Sequence, residues 1–234
     1  MSWTLVGFTT ATPSAAVPSF TLDAVTGVEQ GDQLITVVGA SSYWMSLFPP
    51  AQWNARAGGI NWWPEVNQTL QIWDKIATAD EPSSYQWTMN SGYQQSADFV
   101  AVLFALRPSG GTTQWDSGLG QMNQNSSVVS PSITLSGASD AAIWCALQPA
   151  QIASLPTGWT EIYEGTNQGL SLTVGWNDSL PAGATGAIAG GNATQTSIAA
   201  IAAWLLAAPA PTDTLPPRQF FVAADSRDFF VYPQ

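Results

Sequence analysis

The chain consists of short apolar runs separated by turn-forming residues, and this pattern constrains its fold more than any other feature. None of the runs repeats its apolar residues with the period of a helix, and 16 Pro and 20 Gly punctuate the segments between them. Runs of this length and composition are typical of strands. The sequence therefore predicts an all-β fold made of antiparallel sheets packed as a β-sandwich. The clearest runs are GDQLITVVGA, TLQIWDKIA, YQWTMNS and FVAVLFAL.

Two runs are apolar at successive positions rather than at every second one. They are FVAVLFAL, which begins at Phe99, and SIAAIAAWLLA, which begins at Ser197. A half-buried strand alternates apolar with polar residues, so a continuous apolar run indicates a strand that is buried on both faces. The alanine content of the second run also fits a short helix. We predict two interior strands, with a local helix as the alternative for the second.

The order of segments in residues 1–108 recurs weakly in residues 112–208. Each half has an Asp before an aliphatic strand, then a Pro-containing turn that ends in Trp, then a second strand that carries a Trp. This repeat predicts two similar halves, which form either two sandwiches or one larger sandwich of the jelly-roll or immunoglobulin-like (Ig-like) kind. Residues 209–234 follow as a Pro-rich linker and an extended C-terminal arm. The matched pairs are Asp32 with Asp140, Trp53 with Trp159 and Trp73 with Trp176.

Composition excludes several classes of function. The chain has 5 Lys and Arg against 16 Asp and Glu, which gives a net charge of −11, so it lacks the cations that supply most nucleic-acid affinity. It has no His, which excludes His-based triads and His-ligated metals. The single Cys145 lies in the apolar stretch AAIWCAL and is predicted to be a buried small hydrophobic residue. We expect no metal and no cofactor.

Catalysis by paired carboxylates is the remaining enzymatic hypothesis, and the sequence gives it little support. Asp at a turn is explained by hydrogen bonds from its side chain to the backbone, and the other acidic residues are scattered over loops. We therefore predict that the protein is not an enzyme and has no catalytic residue. The acidic residues considered are Asp32, Asp80, Glu81, Asp116, Asp140, Glu161 and Glu164.

From the sequence we expect no export signal and no membrane segment. The N-terminal MSWTLVGFTT has no basic region and no long apolar stretch, so it does not resemble a secretory signal. The longest apolar run, residues 198–208, is about half a membrane span. We expect no membrane partner and synthesis in a cytoplasm.

Trp62 and Trp63 stand together in INWWPEV, which the sequence predicts to be a loop. An exposed aromatic pair is typical of a contact surface for another subunit. The same pair can stack on the apolar face of a sugar ring, so the alternative is a contact with a host glycan.

The arm contains almost the same segment twice. Two of the five cations and four of the nine Phe of the chain lie in RQFFVAADSRDFFV, behind a Pro-rich spacer. Free Phe-Phe-Val segments promote aggregation unless a partner covers them, and their residue types favour pairing with an exposed sheet edge. We predict that the arm docks on a partner, while a hairpin folded back onto the body is the alternative. The predicted docking residues are Arg218, Phe220, Phe221, Val222, Arg227, Phe229, Phe230 and Val231.

Several of these segments carry a resemblance to a known class of protein. The Gly-Asp strand, the Pro-x-x-Trp turn and IATADEPSSYQWT, followed by LPTGW, SLTVGWNDSLPAGATGAIA and AAIAAWLLA, resemble a β-sandwich module common in phage virion proteins and bacterial surface proteins. The resemblance covers residues 1–208. Separately, the arm is similar to the Arg-x-aromatic-x-Val segments at the ends of small phage structural proteins. The resemblance implies a structural and adhesive module that belongs to a virion.

These expectations combine into one functional prediction. The protein is expected to be a phage virion structural protein, a capsid-associated decoration or head-fibre component anchored by its arm. It would be assembled in the host bacterial cytoplasm, with copies of itself and other virion proteins of the capsid or tail as partners. The alternatives are a tail or baseplate component and a carbohydrate-binding receptor module that uses Trp62 and Trp63.

Overall fold

The computed structural model describes residues 2–42, 46–63, 66–90, 96–123, 128–137, 140–149, 151–192 and 197–207. Within these ranges the regular structure is β throughout, and every strand pair is antiparallel. We find no helix in the described part of the chain that could span a bilayer. The strands are β1 (Trp3–Ala11), β2 (Ser19–Asp23), β3 (Gln33–Ala40), β4 (Ser46–Phe48), β5 (Asn54–Trp63), β6 (Val66–Ile76), β7 (Ser84–Asn90), β8 (Phe99–Pro108), β9 (Thr112–Asn123), β10 (Val128–Ser130), β11 (Thr134–Leu135), β12 (Ala141–Pro149), β13 (Thr160–Asn167), β14 (Leu170–Asn177), β15 (Gly183–Ala184), β16 (Ile188–Gly190) and β17 (Ser197–Ala207).

Two five-stranded sheets pack face to face and confirm the predicted β-sandwich. The first has the order β1-β8-β3-β6-β5, and the second has the order β13-β14-β12-β17-β9. Aliphatic side chains from the inner faces of both sheets form one central core, in which Val102 of the first sheet and Cys145 of the second are fully buried. Burial of Cys145 confirms its predicted role as a small hydrophobic residue, and the apolar surroundings raise the pKa of its thiol.

Smaller sheets cover the outer faces of the sandwich. The three-stranded sheet β2-β7-β4 packs on the first large sheet, and the two-stranded sheets β10-β16 and β11-β15 pack on the second. Side chains along β8 and β17 therefore alternate between the central core and an outer core. In β8, for example, Val102 packs in the central core and Leu103 packs in an outer core. This arrangement explains why both runs are apolar at every position, and it shows that the second run is a strand and not a helix.

The two large sheets have the same strand order when their strands are matched in sequence order. Strands β1, β8, β3, β6 and β5 correspond to β9, β17, β12, β14 and β13. The backbone irregularities match as well, because the residues that bulge from the edge strands, Val6 and Arg56, correspond to Asp116 and Ile162. A β-bulge is a specific local feature, so its recurrence at the same places fixes which residues of the halves are equivalent.

This equivalence corrects one match made from the sequence. Asp74 pairs with Ile35 in the first sheet, and Trp176 pairs with the equivalent Ile143 in the second. Trp176 is therefore the counterpart of Asp74, and the match of Trp73 with Trp176 is wrong by one residue. A shift of one residue moves a side chain to the other face of a sheet. Accordingly, Trp73 packs on an outer core, whereas Trp176 packs against the central core.

Candidate functional site

A buried carboxylate lies at the edge of the sandwich where β5 packs against β9 and β17. Asp74 is only 2% exposed on the inner face of β6. Its Oδ1 accepts a hydrogen bond of 2.6 Å from Nε of Arg56. Its Oδ2 accepts bonds of 2.5 Å from Nε1 of Trp204 and 3.0 Å from Nε2 of Gln33. Three donors on three strands therefore stabilise the buried charge. A buried carboxylate without such partners would be strongly unfavourable.

Arg56 connects this carboxylate to the second half of the chain. It is the bulged residue of β5, and a bulge redirects the side chain that it carries. The guanidinium lies over the Trp115 ring, 5.0 Å from its centroid. Trp115 in turn meets Trp204 edge to face, with the ring centroids 5.7 Å apart. The ion pair and the two rings therefore bind the two sheets together at this edge.

Beside these residues the surface opens into a cavity of about 330 Å³, which we call the cleft. Thr113 lies in its wall, is 7% exposed, and its Oγ1 has no hydrogen-bond partner among the described residues. Leaving a buried hydroxyl unpaired destabilises a protein by about 1–3 kcal/mol, and the Oγ1 atom is shielded from the cleft by its surroundings. The lining residues of the cleft are Gln33, Gln52, Asn54, Arg56, Asp74, Lys75, Ile76, Thr78, Thr113 and Trp115.

A second ion pair closes the turn next to the cleft. Nζ of Lys75 lies 2.8 Å from Oε2 of Glu81, which also accepts a hydrogen bond from the hydroxyl of Tyr85. Burial disfavours the charge on Glu81, but the hydrogen bonds from Lys75, Tyr85 and Thr78 outweigh it and lower the pKa of Glu81. Burial and the adjacent Glu81 carboxylate raise the pKa of Tyr85. These groups stabilise the turn, and the charge of Lys75 is balanced by that of Glu81.

The remaining acidic residues of the sequence analysis do not converge on a cleft. Asp32 and Asp140 lie at turns, where each accepts a hydrogen bond from a backbone N–H three residues earlier, as predicted. The structure brings Asp116 next to Asp140, which the sequence had left apart. Carboxyl groups in direct contact differ from those of glycosidases, which are separated by about 5 Å or more. Within the described ranges no group of three or more Cys, Asp and Glu could hold a metal ion.

The predicted contact residues fall on different parts of the chain. Trp62 and Trp63 are in strand β5, paired with Asn67 and Val66, and not in the loop that the sequence predicted. Only their backbone is described. The predicted docking residues Arg218, Phe220, Phe221, Val222, Arg227, Phe229, Phe230 and Val231 lie outside the described residues.

Sequence reasoning missed the cleft. One signal was present, because Asp74 and Lys75 are adjacent charged residues in the otherwise uncharged strand that contains Ile72. A charge within such a strand is usually paired. The partners, however, come from strands that only the fold brings together, and no local pattern identifies them.

We compared the chain with family models, with curated proteins and with solved structures, and none of them matches it. What the cleft and the arm do is therefore inferred from their chemistry. The cleft offers hydrogen bonds and an apolar wall, and the arm offers repeated aromatic and cationic groups.

Proposed function

We propose that this protein is a non-enzymatic structural component of a phage virion, a capsid-associated decoration or head-fibre protein anchored by its C-terminal arm. The observation that carries the proposal is the repeated Arg-x-Phe-Phe-Val segment, which follows a body whose two large sheets are already complete. All strands of the two large sheets lie within residues 3–207, and the last strand, β17, has β12 and β9 as neighbours on both sides. The large sheets therefore do not need residues 209–234 to complete them.

The charge distribution of the body supports a role in protein contacts. Residues 1–208 contain only three cations, and each of them is held in an ion pair. No unpaired cation remains on the body to bind a polyphosphate backbone. The pairs join Arg56 to Asp74, Lys75 to Glu81, and Arg107 to Asp32 and Glu29.

Edge strands of both sheets expose large apolar side chains, which supports contacts between copies. Phe8 on edge strand β1 is 48% exposed, and Leu119 on edge strand β9 is 53% exposed. Exposed apolar groups on sheet edges favour association with another protein. The excess of carboxylates on the body also gives Arg218 and Arg227 of a neighbouring copy groups to pair with.

The arm would bind by adding a strand to an exposed sheet edge of its partner. Main-chain hydrogen bonds then provide affinity, while alternate aromatic side chains enter pockets. Two similar units predict two similar docking sites, and linked weak contacts strengthen each other because the second binding event is intramolecular. Loss of one unit should therefore weaken incorporation, and loss of both should abolish it.

Incorporation of full-length variants into particles tests this proposal. We expect Phe220→Ser/Phe221→Ser to lower the copy number per particle, and the further addition of Phe229→Ser/Phe230→Ser to reduce it to background. Phe48→Ser is the matched control, because it makes the same change at a body residue that is 55% exposed. Particles purified from cells that lack the normal gene are analysed by quantitative mass spectrometry.

Two results would count against the proposal. If the variant without all four Phe enters particles at the normal copy number, the arm is not the anchor. If the protein co-purifies with isolated tails and not with heads, the capsid position is wrong and the tail or baseplate alternative replaces it.

A further inference from the structure

The two lateral edges of the sandwich are equivalent by the repeat but are built from different side chains. One edge, formed by β5 and β9, holds the cleft, and the other, formed by β13 and β1, is closed by apolar residues of the central core. At the equivalent positions the cleft side carries polar residues. The equivalent pairs, with the cleft residue first, are Thr113 and Trp3, Arg56 and Ile162, Asp74 and Trp176, Gln33 and Ala141, Asn54 and Thr160, and Gln52 and Gly158.

The cavity itself follows from one of these differences. At the closed edge Trp3 is buried in the central core, where it fills the corner between the sheets. Its counterpart Thr113 is far smaller, so the same corner remains open beside it. The cleft therefore exists because a space-filling residue is absent on one side of an otherwise repeated structure.

A turn that lines the cleft adopts a conformation that disfavours its own side chain. Gln52 has a φ of 73°, and its counterpart Gly158 has a φ of 84°. Glycine takes this left-handed conformation without strain, whereas glutamine does not. The first half thus keeps a long amide side chain in the cleft wall where the second half has the less strained residue.

The fold does not require the buried polar network around Asp74 at this corner. The closed edge shows that apolar side chains complete the same packing, and a buried ion pair is on average no more stabilising than such a replacement. Together with the strained Gln52, the network marks a site whose chemistry serves a ligand. We propose that the cleft binds a neutral sugar, either a free monosaccharide or the terminal residue of a cell-surface glycan.

Charge and size select this class of ligand. Arg56 is paired with Asp74 and Lys75 with Glu81, so the charges beside the cleft cancel and favour neither an anion nor a cation. A volume of about 330 Å³ holds a ligand at the lower end of small-molecule sites, for which about 300–1,000 Å³ is usual. One or two sugar rings match that volume.

The groups in the wall suit sugar hydroxyls, each of which both donates and accepts. Only Nε of Arg56 is bonded to Asp74, so among the described residues its two Nη atoms have no hydrogen-bond partner. They can donate to a ligand, and the amide of Asn54 can donate and accept. Ile76, which is half exposed, and Trp115 give the apolar contact that the C–H face of a sugar requires.

Ligand-detected NMR on the purified full-length chain tests the site. The probes are glucose, galactose, mannose, rhamnose and N-acetylglucosamine as free neutral sugars, with glucuronic acid as a charged comparison. An array of glycans that end in the same sugars separates a free ligand from a surface glycan. We expect at least one neutral sugar to bind, and we expect Thr113→Trp, which copies the closed edge, to abolish the signal.

Two finer variants separate binding from folding. Asn54→Ala removes an exposed amide from the wall of the cleft and should weaken binding about tenfold, as expected for one lost hydrogen bond. Its control is Thr113→Val, which removes a hydroxyl that is shielded from the cleft and should leave binding unchanged. Gln52→Gly should weaken binding while raising the melting temperature by about 2–4 °C, because it relieves the strained φ.

Three outcomes would overturn the proposal. These are the absence of binding by any neutral sugar on either platform, binding of glucuronic acid alone, and neutral-sugar binding that Thr113→Trp and Gln52→Gly leave unchanged. Since the assay uses the isolated chain, its failure is separate from failure of the arm to anchor the protein.

Discussion

Asp32 and Asp140 occupy the same corner of the two halves, yet they meet opposite surroundings. Each precedes the central strand of its sheet, each is buried, and each accepts a hydrogen bond from a backbone N–H three residues earlier. Arg107 binds both oxygens of Asp32, at 2.9 and 2.8 Å. Its counterpart in the second half is Leu205, which follows Trp204 as Arg107 follows Leu106.

The second corner has no such cation, and its carboxyl group keeps its proton to a higher pH than usual. Burial, together with the neighbouring Asp116 carboxylate, raises the pKa of Asp140 to about 6. Oδ1 of Asp140 has no donor among the described residues, and a protonated Asp140 can use that atom by donating to Asp116. The comparison teaches that the repeat preserves the backbone role of the residue, while the neighbours on adjacent strands decide its charge.

The largest effect is expected when the closed edge is given the residue of the open one. Trp3→Thr removes a buried ring from the central core, and it should destabilise the protein by about 4 kcal/mol. The control Thr113→Val at the open edge removes a buried hydroxyl that has no partner among the described residues, so it should not destabilise the protein. Urea unfolding measures both, and equal effects would show that the two edges are not packed differently.

A smaller loss should follow when the first corner is made like the second. Arg107→Leu leaves the carboxylate of Asp32 buried without its cation, and it should lower the free energy of unfolding at neutral pH. Adding Asp32→Asn should restore part of that loss, because the amide carries no charge. If Arg107→Leu alone is neutral, the ion pair does not stabilise the corner.

The smallest effect is a pH dependence that belongs to the second corner. Asp140 binds its proton more tightly when folded than its ordinary pKa of 3.8 allows, so its contribution to stability falls as the pH rises from about 4 to about 6. Asp140→Asn should remove this dependence, a difference of about 1–2 kcal/mol between the ends of the window. Thermal unfolding of both proteins from pH 4 to pH 8 measures it, and parallel profiles would contradict the shared proton.

Much of the fold follows from the sequence because burial on both faces leaves a visible pattern. The continuous apolar runs that begin at Phe99 and Ser197 identify the interior strands, and the Asp at each corner identifies where a strand begins. The register was harder, because Trp73 and Trp176 are alike in type but lie on opposite faces. Only the matching bulges separate them, and a bulge leaves no signal in a single sequence.

The candidate cleft could not be predicted in the same way. Arg56, Asp74 and Thr113 are far apart in the chain, and they meet through strands whose order sequence periodicity does not determine. Their significance also depends on a comparison with the opposite edge, which requires the fold. The predicted docking residues of the arm are the reverse case, since their repeat is evident from the sequence alone.

A low-resolution map of the particle tests the central claim, which is that the body is held on the virion by residues 209–234. Maps are compared for particles assembled with the full chain and with a chain that ends at residue 208. The account predicts density for the body at regular positions on the capsid in the first map, and its loss from the second. Body density that is equally strong in both maps would contradict it.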